Sequence, residues 1–93
     1  MREKAIEEKL RTEAKKRGGI AIKFVSPSFD GMPDRLVLLP GGKIGFVEVK
    51  APGKTPRPLQ KLRIKLLTKL GFKSYVLDDD KKIGDVLDDI QTS

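Results

Sequence analysis

The Pro40-Gly41-Gly42 turn constrains the fold of this chain more than any other segment, because it joins two runs rich in Val, Leu, Ile and Phe. Proline and paired glycines favour tight turns, and the runs on either side have the composition of β-strands. We therefore predict an antiparallel hairpin with strands at Arg35–Leu39 and Lys43–Lys50. The remaining segments must pack on a sheet built around this hairpin.

An amphipathic helix and a further strand are predicted before the hairpin. Across residues 2–17, apolar side chains recur every four residues between charged ones, and Gly18-Gly19 supplies a helix stop. These apolar positions are Ile6, Leu10 and Ala14. The run Ile20–Val25 is rich in β-branched residues and predicts a strand, and the prolines, serines and glycine that follow predict a loop across residues 26–33.

The second half of the chain predicts a helix, a strand and a last helix. Three prolines indicate a loop across residues 51–58. A helix up to Gly71 is predicted from apolar residues at three- and four-residue spacing, which are Leu59, Leu62, Leu66 and Leu70. Phe72–Leu77 predicts a fourth strand, and a short final helix is indicated by Ile83, Val86, Leu87 and Ile90.

The order of elements, α-β-β-β-α-β-α, predicts an α/β fold with a mixed four-stranded sheet flanked by helices. A strand, a crossover helix and a strand in sequence imply that the third and fourth strands are parallel, whereas the hairpin is antiparallel. A chain of 93 residues can close one hydrophobic core, so one domain spanning residues 1–93 is expected.

The absence of cysteine and histidine limits the available chemistry. It excludes disulfides, thiolate or imidazole zinc sites, and nucleophile pairs that depend on histidine. Any catalysis must use carboxylates, lysine, hydroxyl groups and a hard metal ion. No apolar run approaches the roughly 20 residues that span a bilayer, and no secretory signal is recognisable, so a cytoplasmic location is expected.

The charge is unevenly distributed along the chain. The formal net charge is +7, although residues 78–93 carry six acids against two lysines. Between Lys50 and Lys73 there are eight Lys or Arg residues and no acid. Such a basic surface is typical of phosphate binding and makes a nucleic acid the expected partner. The alternatives are a solvated charged surface without a partner, or one that meets membranes or acidic proteins.

Two carboxylates and a lysine are predicted to meet on the hairpin. Glu48 and Lys50 are two residues apart on a strand and therefore share a face. Asp34 follows a Gly-x-Pro turn at the start of the neighbouring strand, with thirteen residues between it and Glu48. Together with the backbone carbonyl of Val49, the two carboxylates could hold Mg²⁺, and Lys50 could stabilise the charge that develops during phosphodiester hydrolysis.

The structural alternative is an exposed Glu-x-Lys pair on an edge strand, with Asp34 serving only as a turn residue. A bare Glu-x-Lys carries little information. The longer pattern is more specific, because Pro33-Asp34 precedes Glu48 by a fixed distance and a basic helix follows Lys50. The full pattern therefore favours a site.

The same residues resemble a known family, the VRR-NUC domain of virus-type replication-repair nucleases. The resemblance rests on three segments of this sequence and on Gln60 in the predicted helix. The segments are Gly31-Met32-Pro33-Asp34-Arg35-Leu36, Phe46-Val47-Glu48-Val49-Lys50-Ala51-Pro52-Gly53 and Gly71-Phe72. It implies a PD-(D/E)XK restriction-endonuclease-like fold, dependence on Mg²⁺ or Mn²⁺, and cleavage of branched DNA. Stand-alone members are similar to Holliday-junction resolvases and are expected to act as homodimers.

The resemblance also assigns residue roles. Asp34 and Glu48 match the metal ligands, Lys50 the catalytic lysine, and Gln60 the helix glutamine that would reach towards the water or the scissile phosphate. The family has a further glutamate on its first helix, and here the competitors are Glu3, Glu7, Glu8 and Glu13. Glu7 is chosen because it lies three residues before Leu10, near the buried edge of the predicted helix.

Phosphate contacts are predicted from the basic residues that follow the strand of Glu48, because the helix there begins beside the site and carries no acids. They are Lys54, Arg57, Lys61 and Lys65. Two other functions compete with a nuclease that prefers branched DNA. One is a non-catalytic DNA-binding module, which has no need of carboxylates that repel phosphate. The other is a sequence-specific restriction-type endonuclease, for which 93 residues leave little room.

Overall fold

The computed structural model describes residues 1–92, which form three α-helices, four strands and one 3₁₀ turn. The helices are α1 (Glu3–Lys16), α2 (Pro58–Lys69) and α3 (Ile83–Gln91), and the 3₁₀ turn at Asp80–Lys82 leads into α3. The strands are β1 (Ile20–Lys23), β2 (Arg35–Leu39), β3 (Lys43–Val49) and β4 (Lys73–Leu77). The predicted order of elements is confirmed, and the 3₁₀ turn is an addition to it.

The four strands form one mixed sheet in the order β1-β2-β3-β4. The β1–β2 and β2–β3 pairs are antiparallel, and β3 pairs with β4 in parallel. The hairpin turn has Gly41 and Gly42 at φ of 87° and 74°, a backbone region that glycine enters without steric cost. The predicted hairpin and the predicted parallel pair are both confirmed.

One face of the sheet is covered by α1 and α3 and carries the hydrophobic core. Helix α1 packs against β1, β2, β3 and α3, while α3 packs against β3 and β4. The side chains buried between them are Ile6, Leu10, Ala14, Ala21, Val37, Leu39, Val47, Val49, Leu77, Ile83, Val86, Leu87 and Ile90. Gly45 belongs to this face because a Cβ there would lie 2.3 Å from Cδ1 of Ile90. The missing side chain at Gly45 is what lets α3 approach the sheet.

The opposite face of the sheet is mostly apolar and only partly covered. We call it the open face, and it consists of Ile20, Ile22, Leu36, Leu38, Ile44, Phe46, Ser74 and Val76, which the strand register aligns across the sheet. Phe46 contacts Phe24 and Phe72 edge-to-face, with ring centroids 5.9 and 6.1 Å apart. Exposed fractions of 50% at Ile20 and 41% at Ile44 leave a continuous apolar surface in contact with solvent.

Helix α2 is confirmed as a helix, but its four predicted leucines do not form the buried side. Gln60 and Leu67 are the buried residues of α2, which packs against β4. The exposed leucines form what we call the leucine stripe, with exposed fractions of 39% at Leu59, 59% at Leu62, 37% at Leu66 and 62% at Leu70. Helix α2 therefore has one side on the sheet and a second, solvent-exposed apolar side.

Several predicted boundaries shift by one or two residues. Strand β1 ends at Lys23 instead of Val25, although the Phe24 N–H still donates to the carbonyl of Asp34 at 2.8 Å. Strand β3 ends at Val49, and α2 begins at Pro58 within the predicted loop because proline is well suited to the first turn of a helix. Helix α1 is one residue shorter at each end than the predicted span, and β4 begins one residue later than predicted. Within residues 1–92, every helix is too short or too polar to span a bilayer.

Candidate active site

The candidate site lies at the end of the sheet where β2 begins and β3 ends. Asp34 immediately precedes β2, Glu48 is the penultimate residue of β3, and Lys50 follows the strand. Glu48 projects on the open face, since it alternates with the core residues Val47 and Val49. The site is thus built at the rim of the sheet, where side chains from both of its faces can converge.

Asp34 and Glu48 are joined through the backbone in both directions. The Asp34 N–H donates to Oε1 of Glu48 at 3.2 Å, and the Val49 N–H donates to Oδ1 of Asp34 at 3.1 Å. These bonds fix the two carboxylates relative to the strands that carry them. They also bring the Val49 backbone beside Asp34, although the side chain of Val49 belongs to the core.

Glu48 is almost fully buried and is surrounded by donors. Its exposed fraction is 2%, and its Oε2 accepts a hydrogen bond from Nε2 of Gln60 at 2.9 Å. The ammonium group of Lys50 lies 3.2 Å from the same oxygen. The Arg57 N–H donates to Oε1 of Gln60 at 2.8 Å, which fixes the orientation of the Gln60 amide. A buried carboxylate needs such partners, because an unpaired charge in the interior is costly.

The loop before Asp34 is anchored to α2. The guanidinium of Arg63 donates from Nε to the carbonyl of Asp30 at 2.7 Å and lies 3.8 Å from the ring centroid of Phe29. Gly31 has a φ of 86°, and a Cβ there would lie 2.7 Å from the Leu59 side chain. The glycine of the Gly-x-Pro turn is therefore required both by the backbone and by the contact with α2. Phe29, at 40% exposure, lies on this surface and is not part of the core.

Acidic residues of α1 complete the cluster. One carboxylate oxygen from each of Glu3, Glu7 and Asp34 lies within 4.8 Å of the others, a spacing that a metal ion could bridge. The carboxylate of Glu7 also accepts a hydrogen bond from the guanidinium of Arg35 at 3.3 Å and forms an ion pair with it. Of the four competing glutamates, the sequence choice of Glu7 is in the cluster, but so is Glu3. The four-residue spacing of Glu3 and Glu7 places both on one face of the helix, and this spacing could have predicted that both belong to the cluster.

The carboxyl group of Asp34 is harder to ionise than that of an ordinary aspartate. Burial is the main cause that raises the pKa of Asp34 to about 6, with the charges of Glu48, Glu7 and Glu3 adding to it and the Val49 N–H opposing it. The Asp34 carboxylate is thus costly to keep charged in the absence of a cation. A bound cation would offset that cost, because it attracts the charged form.

The four predicted phosphate-binding residues are exposed but separate into two pairs. Lys54 and Arg57 lie in the loop between Lys50 and α2, and the N–H of Arg57 contacts Gln60 of the cluster. Lys61 and Lys65 lie one turn apart on α2. The leucine stripe lies on the side of α2 that faces the loop of Gly31, because Leu59 contacts that loop. Helical spacing places Lys61 and Lys65 on a different side of α2.

The chain resembles proteins named as nucleases in sequence and in structure. A solved structure named "VRR_NUC domain" is similar to it with a TM-score of 0.85 and 28% identity, over 92% of this chain and 94% of that chain. A relative from Acyrthosiphon pisum secondary endosymbiont phage 1, named "Putative nuclease p44", is 55% identical over 78 residues, which cover 84% of each protein. No family model matches the chain. The predicted fold class, a mixed four-stranded sheet flanked by helices, is confirmed by the structural match.

Proposed function

The chain belongs to the VRR-NUC family of nucleases, and on that premise we propose that it is a metal-dependent endonuclease that acts as a homodimer on branched DNA, in particular on four-way (Holliday) junctions. The observation that carries the proposal is the hydrogen-bonded cluster of Asp34, Glu48, Lys50 and Gln60, with the acids of α1 beside it. A fold alone would not justify an enzymatic function, whereas a cluster of this composition supplies the chemistry.

The side chains of the cluster fit Mg²⁺ or Mn²⁺. Every donor is a hard carboxylate or carbonyl oxygen, and the chain has neither cysteine nor histidine. Asp34, Glu48 and the carbonyl of Val49 are proposed to hold the ion, with Glu7 contributing from α1. When bound, such an ion polarises a phosphate oxygen and lowers the pKa of a coordinated water. The grouping of Glu3, Glu7 and Asp34 within 4.8 Å supports Asp34 and Glu7 as ligands, and Glu48 is linked to this group through the N–H of Asp34.

Lys50 and Gln60 are proposed to have different parts in the reaction. The ammonium group of Lys50, 3.2 Å from Glu48, is available to stabilise negative charge on the attacking oxygen or on the scissile phosphate. Both ends of the Gln60 amide are engaged by Glu48 and by the Arg57 N–H. Gln60 is therefore proposed to position Glu48, and contact with the water or the phosphate would require this hydrogen bond to open.

DNA is the proposed partner, with Lys54, Arg57, Lys61 and Lys65 contacting its phosphates. All four side chains are exposed, and none forms an ion pair within residues 1–92. Their charges are therefore available to phosphate groups beside the cluster, where the loop of Lys54 and Arg57 leads from Lys50 to Gln60. Action on DNA is proposed to occur in the cytoplasm, which would be the host cytoplasm for a phage-encoded protein.

A second copy of the chain is proposed to cover the open face and the leucine stripe. Monomeric proteins rarely expose contiguous apolar patches beyond a few hundred Å². Here nine apolar side chains, eight on the two surfaces and the adjoining Phe72, are at least 37% exposed. They are Ile20, Ile22, Ile44, Leu59, Leu62, Leu66, Leu70, Phe72 and Val76. Apolar burial of this kind favours an isologous dimer, whose two-fold axis would match two strands of a four-way junction.

The proposal is tested with labelled DNA substrates of matched sequence. An immobile four-way junction, a flap, a linear duplex and a single strand are each incubated with Mg²⁺ or Mn²⁺ and separately with EDTA. Paired nicks across the junction that disappear with EDTA are expected. Metal-independent binding without cutting of any substrate would instead leave a non-catalytic DNA-binding module. Equal cutting of all four substrates would retain the nuclease and reject the preference for branched DNA.

A further inference from the structure

A groove lies between α1 and the edge strand β1, on the side of the molecule away from the predicted phosphate-binding residues of α2. We call it the α1–β1 groove, and it has a volume of about 960 Å³. Arg11, Thr12 and Lys15 line it from α1, residues 20–23 line it from β1, and Arg35 closes it at one end. Because β1 is the outermost strand of the sheet, the groove opens directly to solvent.

Three basic residues of the α1–β1 groove are not neutralised by ion pairs within residues 1–92, whereas several bases elsewhere on the surface are. Two acidic residues of the last third of the chain pair with bases of its first part, since Asp80 binds Lys9 at 3.0 Å and Asp88 binds Arg17 at 2.6 Å. Within residues 1–92, none of the groove residues Arg11, Lys15 and Lys23 forms an ion pair. Glu8 is the one acid in the groove lining. The groove is therefore a basic channel.

The groove leads to the candidate active site. Arg35 contributes to the groove and pairs with Glu7, whose carboxylate belongs to the cluster with Asp34. Glu7, Arg11 and Lys15 follow one another at four-residue spacing on the same stripe of α1, so about 12 Å of helix separates the first from the last. Successive phosphates of one DNA strand rise by about 3.4 Å along the duplex axis, so this distance corresponds to roughly three nucleotides.

Arg35 retains hydrogen-bonding capacity at the junction between groove and site. Its ion pair with Glu7 is long, at 3.3 Å, and its buried Nε has no hydrogen-bond partner within the described residues. Protein atoms enclose this Nε, so Arg35 presents to the groove its positive charge and the terminal nitrogens of its guanidinium, one of which pairs with Glu7. Its position opposite Lys23 in the strand register adds a second cation at the same end.

We propose that the α1–β1 groove binds the phosphate backbone of the DNA strand that flanks the cut, as a track separate from the basic residues of α2. The inference rests on the proposed nuclease function and extends it, because it names the path by which one DNA arm leaves the site. Arg11, Lys15 and Lys23 contact successive phosphates, and Arg35 joins the track to Glu7. Nucleic acid is favoured over an acidic protein because the basic residues lead along one helix stripe towards a site suited to phosphodiesters.

The test compares two double variants with the same loss of charge on α1. Arg11→Gln with Lys15→Gln removes two groove cations that are unpaired within residues 1–92, and Lys9→Gln with Lys16→Gln removes the same formal charge from the opposite side of the helix, where the two lysines pair with Asp80 and Glu13. Affinity for a labelled four-way junction is measured in EDTA, so that no cleavage occurs, over a range of salt concentrations. Circular dichroism and thermal unfolding check that both proteins are folded. The groove variant is expected to bind about tenfold more weakly and to lower the slope of log K against log salt by about 1.8.

Equal slopes for the two double variants would overturn the proposal. So would a groove variant that loses affinity for poly-glutamate, used as the acidic-protein probe, while its DNA slope matches the control. The outcome is independent of catalysis. A wild-type protein that cuts nothing but shows the slope difference would reject the nuclease and keep the groove. If the wild-type protein cuts DNA but the two double variants have the same slope, the nuclease function is kept and the groove is rejected.

Discussion

Asp34 is held by hydrogen bonds in a place where its negative charge is unfavourable. It receives the Val49 N–H at 3.1 Å, lies within reach of two α1 acids, and donates its own N–H to Glu48 at 3.2 Å. Burial and the neighbouring charges raise its pKa to about 6. The fold thus holds a carboxylate in a place where its charged form is disfavoured, which is a common feature of functional sites.

Replacing Asp34 by asparagine is expected to stabilise the metal-free protein at neutral pH. The pKa of Asp34 in the folded protein is about 6, above the ordinary aspartate value of 3.8, so the free energy of unfolding decreases as pH rises from about 4 to 6 and stays reduced above that. Asparagine avoids this loss and can still accept the Val49 N–H. Allowing for the solvent that reaches the side chain, Asp34→Asn should add about 1 kcal/mol at pH 8, or roughly 4–8 °C in Tm.

The measurement is thermal unfolding in EDTA at pH 4 and pH 8, with Asp30→Asn in the same loop as the matched control. The gain for Asp34→Asn should be large at pH 8 and absent at pH 4. A gain of equal size at both pH values, or a loss at pH 8, would contradict this account of Asp34.

The side chains of the cluster could be predicted from the sequence, but their hydrogen bonds could not. Strand periodicity requires Glu48 and Lys50 to share a face, and the hairpin brings Asp34 to the same end of the sheet. Gln60 followed from family resemblance alone, and nothing in its spacing indicated a bond to Glu48. Arg35 was missed because its role depends on how α1 is rotated over the sheet, which apolar periodicity defines only to within a side chain or two.

Among the elements, α2 explains why a correct helix can have an unexpected buried side. Apolar spacing predicts a helix, and four leucines at that spacing suggest the side that packs on the core. In the structure, Gln60 is buried where it donates to Glu48, and Leu67 is buried on the side of α2 that packs against β4. The rotation of α2 that brings Gln60 beside Glu48 leaves the leucine stripe in solvent.

The contact between α3 and β3 depends on the absence of a side chain at Gly45. A Cβ at this position would lie 2.3 Å and 2.6 Å from two carbons of Ile90, so Gly45→Ala must displace α3. Overpacking of a core usually costs about 1–3 kcal/mol. In α3 itself, Gly84 has open space around its Cα, and Gly84→Ala should stabilise the helix by about 0.5–1 kcal/mol.

Urea unfolding of the two alanine variants measures both effects, and the expected signs are opposite. The pair is a matched control, since each variant adds one methyl group, at Gly45 into the contact with α3 and at Gly84 into open space on α3 itself. If Gly45→Ala were as stable as the wild type, the close packing of α3 on the sheet would be wrong.

For the whole molecule, the distribution of charge is explained by ion pairs within the chain. The sequence shows a basic body and an acidic last segment. In the structure, Asp80, Asp88 and Asp89 pair with Lys9, Arg17 and Lys73 of the same chain. Sequence order could not reveal these pairs, because they join residues far apart in the chain. The basic residues that remain unpaired include those of the α1–β1 groove.

The proposed dimer is assigned to the leucine stripe and the open face. Leu62→Gln with Leu66→Gln places polar groups on the stripe without touching the core, so the variant should fold and become monomeric. Lys61→Gln with Lys65→Gln, on the other side of α2, should remain dimeric. Sedimentation velocity at micromolar concentration distinguishes the two. A wild-type monomer, or a leucine variant that stays dimeric, would show that another surface or no surface mediates pairing.

Glu48 and its neighbours are proposed to perform the hydrolysis, and this assignment is tested by single-turnover cleavage of a four-way junction with the Glu48→Gln variant. The rate is measured with saturating Mg²⁺ or Mn²⁺, and junction affinity is measured separately in EDTA. We predict a rate at least 100-fold lower, about 2.7 kcal/mol of lost transition-state stabilisation, with affinity unchanged or slightly tighter. A variant that cuts at a rate within threefold of the wild type would contradict the assignment of the active site.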